Sequence, residues 1–289
     1  MSMAAILAVI DGGPGSESAL AAAVQLGRGF KSRVELLHVE VDAESSLPVM
    51  GEGMSGAAVE QILQSLREEA AARLAEARRL FEQYRTAGKL PIVEPDSVPV
   101  AGQFAVCFRQ ITGREAEEVL HSARLSDLTV FGRFGHEGDG GTSVTFEGAL
   151  FDSGRPVLLV PPTPVKELGS TVAVAWDRSR ESALAVLAAL PILRRAKRVV
   201  VITARQSESD TGPSELVRYL AGHGINARTW AFTAGSGALG EEILEEAAKA
   251  ETDLLVMGGY GHSRLRELVL GGVTRSVLSK AAIPVFMMH

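Results

Sequence analysis

Residues 252–262 read Thr-Asp-Leu-Leu-Val-Met-Gly-Gly-Tyr-Gly-His. Residues 126–136 read Ser-Asp-Leu-Thr-Val-Phe-Gly-Arg-Phe-Gly-His, so an acid, an apolar run, a glycine, two residues, a second glycine and a histidine recur in one order. A short apolar run without polar alternation is typical of a strand buried on both faces of a parallel sheet. The same buried strand and the same turn are therefore predicted once in each half of the chain.

Two further matches flank this repeat. Residues 17–21 are identical to residues 181–185, and both segments follow an apolar run that ends in an aspartate. Residues 155–160 and 283–288 both consist of one residue, a proline and an apolar run. Three matches in one order indicate an internal duplication.

The length of the chain agrees with two copies of one domain. It has 289 residues, about twice a typical domain of roughly 150 residues. We expect domains at residues 1–162 and 170–289, joined near the proline-rich stretch 161–166. The first domain is longer because a long helix is predicted over residues 55–84. We interpret its apolar stripe as a packing face, the alternative being a groove for a partner.

Strand and helix patterns alternate in each copy, which predicts the fold class. In the second copy, helices are predicted over 181–193, 213–221, 241–250 and 273–280, between strands over 171–175, 199–203, 227–232, 254–257 and 284–287. This order is typical of a doubly wound α/β domain. We predict two tandem domains of this class, each with a five-stranded, mostly parallel sheet. The apolar last strands, near 157–160 and 285–288, are expected to meet in an intramolecular pseudo-dimer, and the chain could dimerise again.

Composition excludes several classes of protein. Hydrophobic residues make up 46% and charged residues 22%, as in a globular protein. The formal net charge of −6 argues against nucleic-acid binding, and no apolar run is long enough to cross a membrane. The single cysteine, Cys107, fits a reducing compartment. Because the N-terminus also lacks the pattern of a signal peptide, we expect a cytoplasmic protein.

Polar and glycine residues follow the predicted strands of the second copy. Asp177 comes after its first strand, residues 258–261 after its fourth, and residues 271–274 before its last helix. In a doubly wound sheet, ligands bind outside the carboxyl ends of the strands. Glycines there let backbone N–H groups approach phosphate oxygens, and a helix N-terminus favours an anion. The sequence predicts a phosphate cradle, the alternative being glycines that only end a strand and cap a helix.

The spacing Gly258-x2-Gly261-x9-Gly271 resembles the Gly-x2-Gly-x9-Gly-(Ser/Thr) motif of the universal stress proteins. The resemblance covers nearly the whole chain, as a tandem two-domain member of that family. It implies an adenine nucleotide, ATP, with or without Mg²⁺, in the second copy. Gly272 departs from the pattern, because it stands where the family has Ser or Thr.

The resemblance also implies a set of binding residues. Asp177 matches the family's acidic residue at the adenosine end of the site, and Ala175 and Thr203 resemble the lining of the adenine pocket. The glycines would flank the ribose and cradle the polyphosphate. The complete set is Ala175, Asp177, Thr203, Met257, Gly258, Gly261, His262, Gly271, Gly272, Val273 and Thr274.

The first copy departs much further from this motif. Thr145 stands ten residues after Gly135, and the glycine-rich residues 136–143 carry two acids. Carboxylates beside phosphate cost binding free energy unless a metal ion intervenes. We expect the first copy to be degenerate, the alternative being that its glycines and hydroxyls rebuild a distorted cradle.

Three functions are compatible with the sequence. The favoured one is an adenine-nucleotide-binding protein of stress response or signalling, with an unknown protein partner. It has no predicted catalytic or metal-binding residue and is at most a slow ATPase. The second is a nucleotide-free protein that binds an apolar ligand or a partner. The third, a dinucleotide-dependent oxidoreductase using Gly13 and Gly15, is disfavoured because both halves are copies, and because Ser16 or Ser18 as a helix N-cap explains that turn more simply.

Overall fold

The computed structural model describes residues 3–41, 56–133, 140–205, 212–235, 237–260 and 272–289. The strands are β1 (Ala5–Val9), β2 (Arg33–Val41), β3 (Ala105–Gly113), β4 (Leu128–Gly132), β5 (Val157–Val160), β6 (Thr171–Ala175), β7 (Arg198–Arg205), β8 (Ala227–Thr233), β9 (Leu254–Gly258) and β10 (Val285–Met288). The helices are α1 (Ser16–Phe30), α2 (Gly56–Gly88), α3 (Glu115–Arg124), α4 (Gly140–Asp152), α5 (Arg180–Leu193), α6 (Gly212–Gly222), α7 (Leu239–Lys249) and α8 (Val273–Lys280).

All ten strands belong to one sheet, in the order β3-β2-β1-β4-β5-β10-β9-β6-β7-β8. The neighbours within β1 to β5, here called the first half, are parallel, and so are those within β6 to β10, the second half. Helices alternate with the strands in both halves. The predicted fold class, two doubly wound α/β units with five strands each, is confirmed.

The two halves meet where β5 pairs with β10. The pairing is antiparallel, with Phe286 opposite Leu158 and Val285 opposite Leu159. Phe286 and Leu158 are both 0% exposed. The structure therefore confirms that the two last strands close each other's edge, as their apolar sequences predict.

This antiparallel join determines where ligands can bind. The carboxyl ends of parallel strands lie at one edge of a sheet. Since the halves run in opposite directions across the join, their carboxyl ends lie at opposite edges of the continuous sheet. Two separate candidate sites follow, one for each half.

The inserted helix α2 packs on the first half. It runs over Gly56–Gly88, four residues beyond the predicted end. Leu63, Ala77 and Leu80 are buried, and the ring of Phe81 stacks on Phe108 at 5.3 Å between centroids. The predicted packing face is therefore correct. Neither α2 nor any other helix in the described part of the chain is apolar enough over 18 residues to cross a membrane.

The start of α1 differs from the sequence prediction. Gly15 is the N-cap, and neither Ser16 nor Ser18 caps the helix with its side chain. The Ser16 hydroxyl donates instead to Asp11 Oδ1 at 2.7 Å, and the Ser18 hydroxyl donates to the carbonyl of Pro162 at 2.6 Å. The prediction of a serine cap was wrong because both hydroxyls have acceptors outside the helix.

Candidate functional site

A turn organised by Asp177 follows β6. The backbone N–H and the hydroxyl of Ser179 donate to Asp177 Oδ1, at 2.9 and 2.6 Å. The Ser179 hydroxyl oxygen also accepts the N–H of Ser182 at 3.1 Å, which makes Ser179 the N-cap of α5. Partial loss of hydration opposes ionisation of Asp177, but the Ser179 hydrogen bonds outweigh it and hold the pKa of the carboxyl below its ordinary value. Asp177 is thus a fixed, exposed carboxylate at the edge of the sheet.

Thr203 lies beside this turn, on the neighbouring strand. Its hydroxyl donates to the carbonyl of Trp176 at 2.8 Å, and the N–H of Trp176 donates to the carbonyl of Ile202 at 2.9 Å. These bonds extend the pairing of β6 and β7 past the last residue of β6. Ala175, half-buried, ends β6 next to them. Thr203 therefore fixes the backbone that carries Asp177.

Gly258 brings the end of β9 against the start of α5. A Cβ at Gly258 would lie 2.6 Å from the amide nitrogen of Ser182 and 2.9 Å from the Cβ of Glu181. The first half has the same arrangement, since a Cβ at Gly132 would overlap the backbone of Gly15. Each glycine allows a strand and the first helix of its half to cross in direct backbone contact.

The turn after β9 connects Gly258 to the last helix. The N–H of Tyr260 donates to Thr274 Oγ1 at 3.1 Å, and Tyr260 has a left-handed backbone conformation with a φ of 52°. Thr274 is 3% exposed. The buried hydroxyl of Thr274 therefore holds the Tyr260 turn against the start of α8.

Gly272 is the N-cap of α8, and no side chain of a described residue caps this helix. Val273 and Thr274 begin its first turn, where backbone N–H groups lack partners within the helix. Val273 is half-buried and packs on the core beneath the edge. The helix start therefore presents amide donors and the positive end of a helix dipole, which favour an anion.

The described members of the predicted set form one connected edge. Hydrogen bonds connect Asp177 to Ser179 and Ser179 to Ser182, and Ser182 lies against Gly258. Two residues after Gly258, the N–H of Tyr260 donates to the hydroxyl oxygen of Thr274. Met257 is 4% exposed and its side chain packs in the core. Three predicted residues lie outside the described ranges, namely Gly261, His262 and Gly271.

Sequence reasoning missed three residues at this edge. Ser179 organises both Asp177 and α5, and the Asp-x-Ser spacing at a helix start could have indicated it. Trp176 has its Nε1 buried without a hydrogen-bond partner among the described residues. The ring of Tyr260 packs on Phe151 of α4 at 5.0 Å between centroids, which only the joining of the two halves creates.

The corresponding edge of the first half keeps the backbone geometry and changes the side chains. The N–H of Ile10 donates to the carbonyl of Leu37 at 2.9 Å, and His38 Nδ1 lies 2.7 Å from the carbonyl of Ile10. His38 therefore occupies the place that Thr203 has in the second half. Asp11 stands in the place of Asp177, and its Oδ1 accepts the N–H of Gly13 at 2.8 Å.

Comparison with known proteins agrees with this architecture. The model of the universal stress protein family matches residues 225–289. A universal stress protein from Synechocystis sp. is 49% identical over 45 residues, which are 16% of this chain and 16% of that protein. One from Methanocaldococcus jannaschii is 38% identical over 47 residues, 16% of this chain and 29% of that protein. These sequence matches thus span less than a third of either relative.

The likeness in structure extends over the whole chain. The crystal structure of a universal stress protein from Archaeoglobus fulgidus superposes with a TM-score of 0.67 at 18% identity, covering 99% of this chain and 96% of that one. At this identity the superposition shows a shared fold. The family's sequence appears in residues 225–289 and its fold in both halves. The whole chain therefore has the fold of a universal stress protein, and residues 225–289 match that family in sequence.

Proposed function

We propose that this protein binds one ATP, with Mg²⁺, at the carboxyl edge of its second half and acts in stress response or signalling. One observation carries the proposal, namely the connected edge that runs from Asp177 through Gly258 to Thr274 and Gly272. It offers a carboxylate for the hydroxyls or the base of a nucleoside and helix amides for phosphate oxygens. The spacing of Gly258, Gly261 and Gly271, which resembles the family's nucleotide motif, supports the same ligand.

The first half is unsuited to a second nucleotide. Helix α2 crosses its carboxyl edge so closely that a Cβ at Gly12 would overlap the carbonyl of Arg73. The cavity that remains is lined by four carboxylates, which would repel a triphosphate. We therefore assign the nucleotide to the second half alone.

Contacts across the join suggest how binding would be transmitted. Tyr260, next to the cradle, packs on Phe151 of the first half, and the ring of Phe151 also meets His289 at 4.8 Å between centroids. A ligand that prefers one arrangement of the Tyr260 turn shifts the population of that arrangement. The last helix of the first half would then respond to a nucleotide in the second. The proposal concerns binding and makes no claim of hydrolysis.

Calorimetric titration with ATP and Mg²⁺ tests the proposal, and we expect a stoichiometry near one per chain. Asp177→Ala should weaken binding by about 1–3 kcal/mol, since it removes a hydrogen bond to a charged group. Asp11→Ala, the matched change in the first half, should leave ATP affinity unchanged. Two equivalent sites, or equal losses in both variants, would contradict the assignment. Mass spectrometry of small molecules released on denaturation provides an independent check.

A further inference from the structure

The first half contains a cavity of about 180 Å³ between the carboxyl edge of its sheet and helix α2. Its apolar wall is formed by Val39, Val41, Leu66 and Ala70. An apolar protein cavity of roughly 150 Å³ holds one benzene ring. The cavity is therefore of a size for one ring or a short aliphatic chain and is too small for a nucleoside triphosphate.

The polar wall of the cavity is dominated by acceptors. Asp11, Glu40, Glu69 and Glu115 line it, against the single cation of Arg73. Arg73 pairs with Glu69 at 2.7 Å along the helix. The remaining three carboxylates give the cavity an excess of negative charge, which favours a cationic ligand.

One oxygen among these acceptors is deeply placed. Glu115 Oε1 is buried and has no hydrogen-bond partner among the described residues. Burial, and then the neighbouring Asp11, raise the pKa of the Glu115 carboxyl above its ordinary value. A buried polar oxygen without a partner costs free energy of folding, and a donor brought by a ligand would remove that cost.

The imidazole ring of His38 also lines the polar wall of the cavity. The residue is 2% exposed. Its Nδ1 lies 2.7 Å from the carbonyl of Ile10, and because a carbonyl oxygen only accepts, the hydrogen must be on Nδ1. In the neutral ring, Nε2 is then an acceptor. A ligand that donates hydrogen bonds would therefore suit this wall of the cavity.

We propose that this cavity binds a small organic ammonium ion with a compact apolar body. The ammonium group would lie between Glu115, Asp11 and His38, and the apolar body against Val39 and Leu66. The rim is accessible, since Val41 is 44% exposed and Glu69 is exposed. The apolar wall that includes Val39 and Leu66 favours an organic cation. This inference does not depend on nucleotide binding in the second half.

The test is an NMR titration of the full chain with three probes of one shape, benzylammonium, benzyl alcohol and benzoate. We expect benzylammonium to bind best and benzoate least. Glu115→Gln keeps the shape and removes the charge, so it should weaken benzylammonium binding at least about tenfold. Glu117→Gln is the matched control, because Glu117 lies outside the cavity and pairs with Arg114 at 3.0 Å. Saturating ATP with Mg²⁺ should leave the titration unchanged.

Three results would overturn the proposal. The first is benzoate binding as well as benzylammonium, the second is equal benzylammonium affinity in Glu115→Gln and in the wild type, and the third is displacement by ATP. Should Glu115→Gln fail to fold, Ala70→Phe serves instead, since it fills the cavity from the half-buried face of α2. A folded Ala70→Phe variant that still binds benzylammonium would equally exclude this site. ATP is used here only as a possible competitor. The test of the cavity therefore stands even if the second half proves not to bind ATP.

Discussion

Gly258 lies so close to Ser182 that a Cβ on the glycine would stand 2.6 Å from the serine's amide nitrogen. Contacts below 3.0 Å require the backbone to move, and the obstacle here is the first turn of a helix. The glycine at the end of β9 is therefore needed for packing, whatever it contributes to a ligand.

Gly258→Ala should destabilise the protein by about 1–3 kcal/mol, the usual cost of overpacking. Gly222→Ala is the matched control, since nothing lies within 4 Å of the added carbon. Urea unfolding of both variants measures the difference. Wild-type stability in Gly258→Ala would show that β9 and α5 separate without cost.

Asp177→Asn should reduce the dependence of stability on pH in acid. The folded state lowers the pKa of Asp177 below its ordinary value of 3.8. The stabilisation is therefore complete above 3.8 and is lost as the pH falls through the lower, folded value. The wild type should exceed the variant in free energy of unfolding at pH 6 and lose that advantage towards pH 2. Urea unfolding of both proteins between pH 2 and pH 6 measures this, and a difference that stays constant over that range would contradict it.

Phe286→Ala should cost about 3–5 kcal/mol, as expected for a buried phenylalanine. Leu187→Ala, at 42% exposure, should cost well under half of that.

Both tryptophans, Trp176 and Trp230, belong to the second half, so fluorescence follows that half while circular dichroism follows the whole chain. We expect the two signals to change together in urea for the wild type, because the join makes one cooperative unit. Separate transitions would show that the halves unfold independently.

Cys107 should be inert towards thiol reagents in the folded protein. Burial, and to a smaller extent the Glu35 carboxylate, raise the pKa of its thiol to about 11, and the residue is 0% exposed. Iodoacetamide at pH 8 should modify the unfolded chain at least about a hundredfold faster than the native one. Val98→Cys in a Cys107→Ser background is the positive control, since Val98 is 87% exposed. Rapid modification of the native wild type would contradict the buried position of β3.

Gly272→Ser should hold or increase the affinity for ATP, because it restores a hydroxyl that the family motif has at this position. The substitution suits a helix N-cap, where serine is favoured. ATP titration measures the effect, and thermal unfolding without ligand separates it from a gain in stability. A clear loss of affinity in a folded variant would contradict the prediction, because it would show that a serine side chain at this position obstructs the ligand.

The features that the sequence predicts here are local or repeated. The duplication and the apolar runs predict ten strands and the meeting of Val157–Val160 with Val285–Met288, because both depend on short segments. The position of Asp177 at a strand end follows from the same patterns. The sequence left two explanations for the glycines after β9, a phosphate cradle or a structural role. The close contact between Gly258 and α5 gives this glycine a structural role.

What the sequence could not predict depends on distant contacts. The apolar stripe of α2 indicates that this helix packs, but only the folded chain brings Arg73 over Gly12. The cavity brings together Asp11 from the turn after β1, His38 from β2 and Glu115 from α3, and no sequence spacing connects them. The sequence suggests Ser16 or Ser18 as a helix N-cap, but in the folded chain both hydroxyls donate hydrogen bonds to acceptors outside the helix.

The pairing of Leu158 with Phe286 also constrains how a duplicated gene can evolve. Deleting either copy would leave an apolar strand edge in water, and such edges promote aggregation. Selection for solubility would then favour retention of both copies. Either copy could accept insertions and exchange its side chains while its last strand stays in place. An inherited interface of this kind preserves a pocket in which a new specificity can arise.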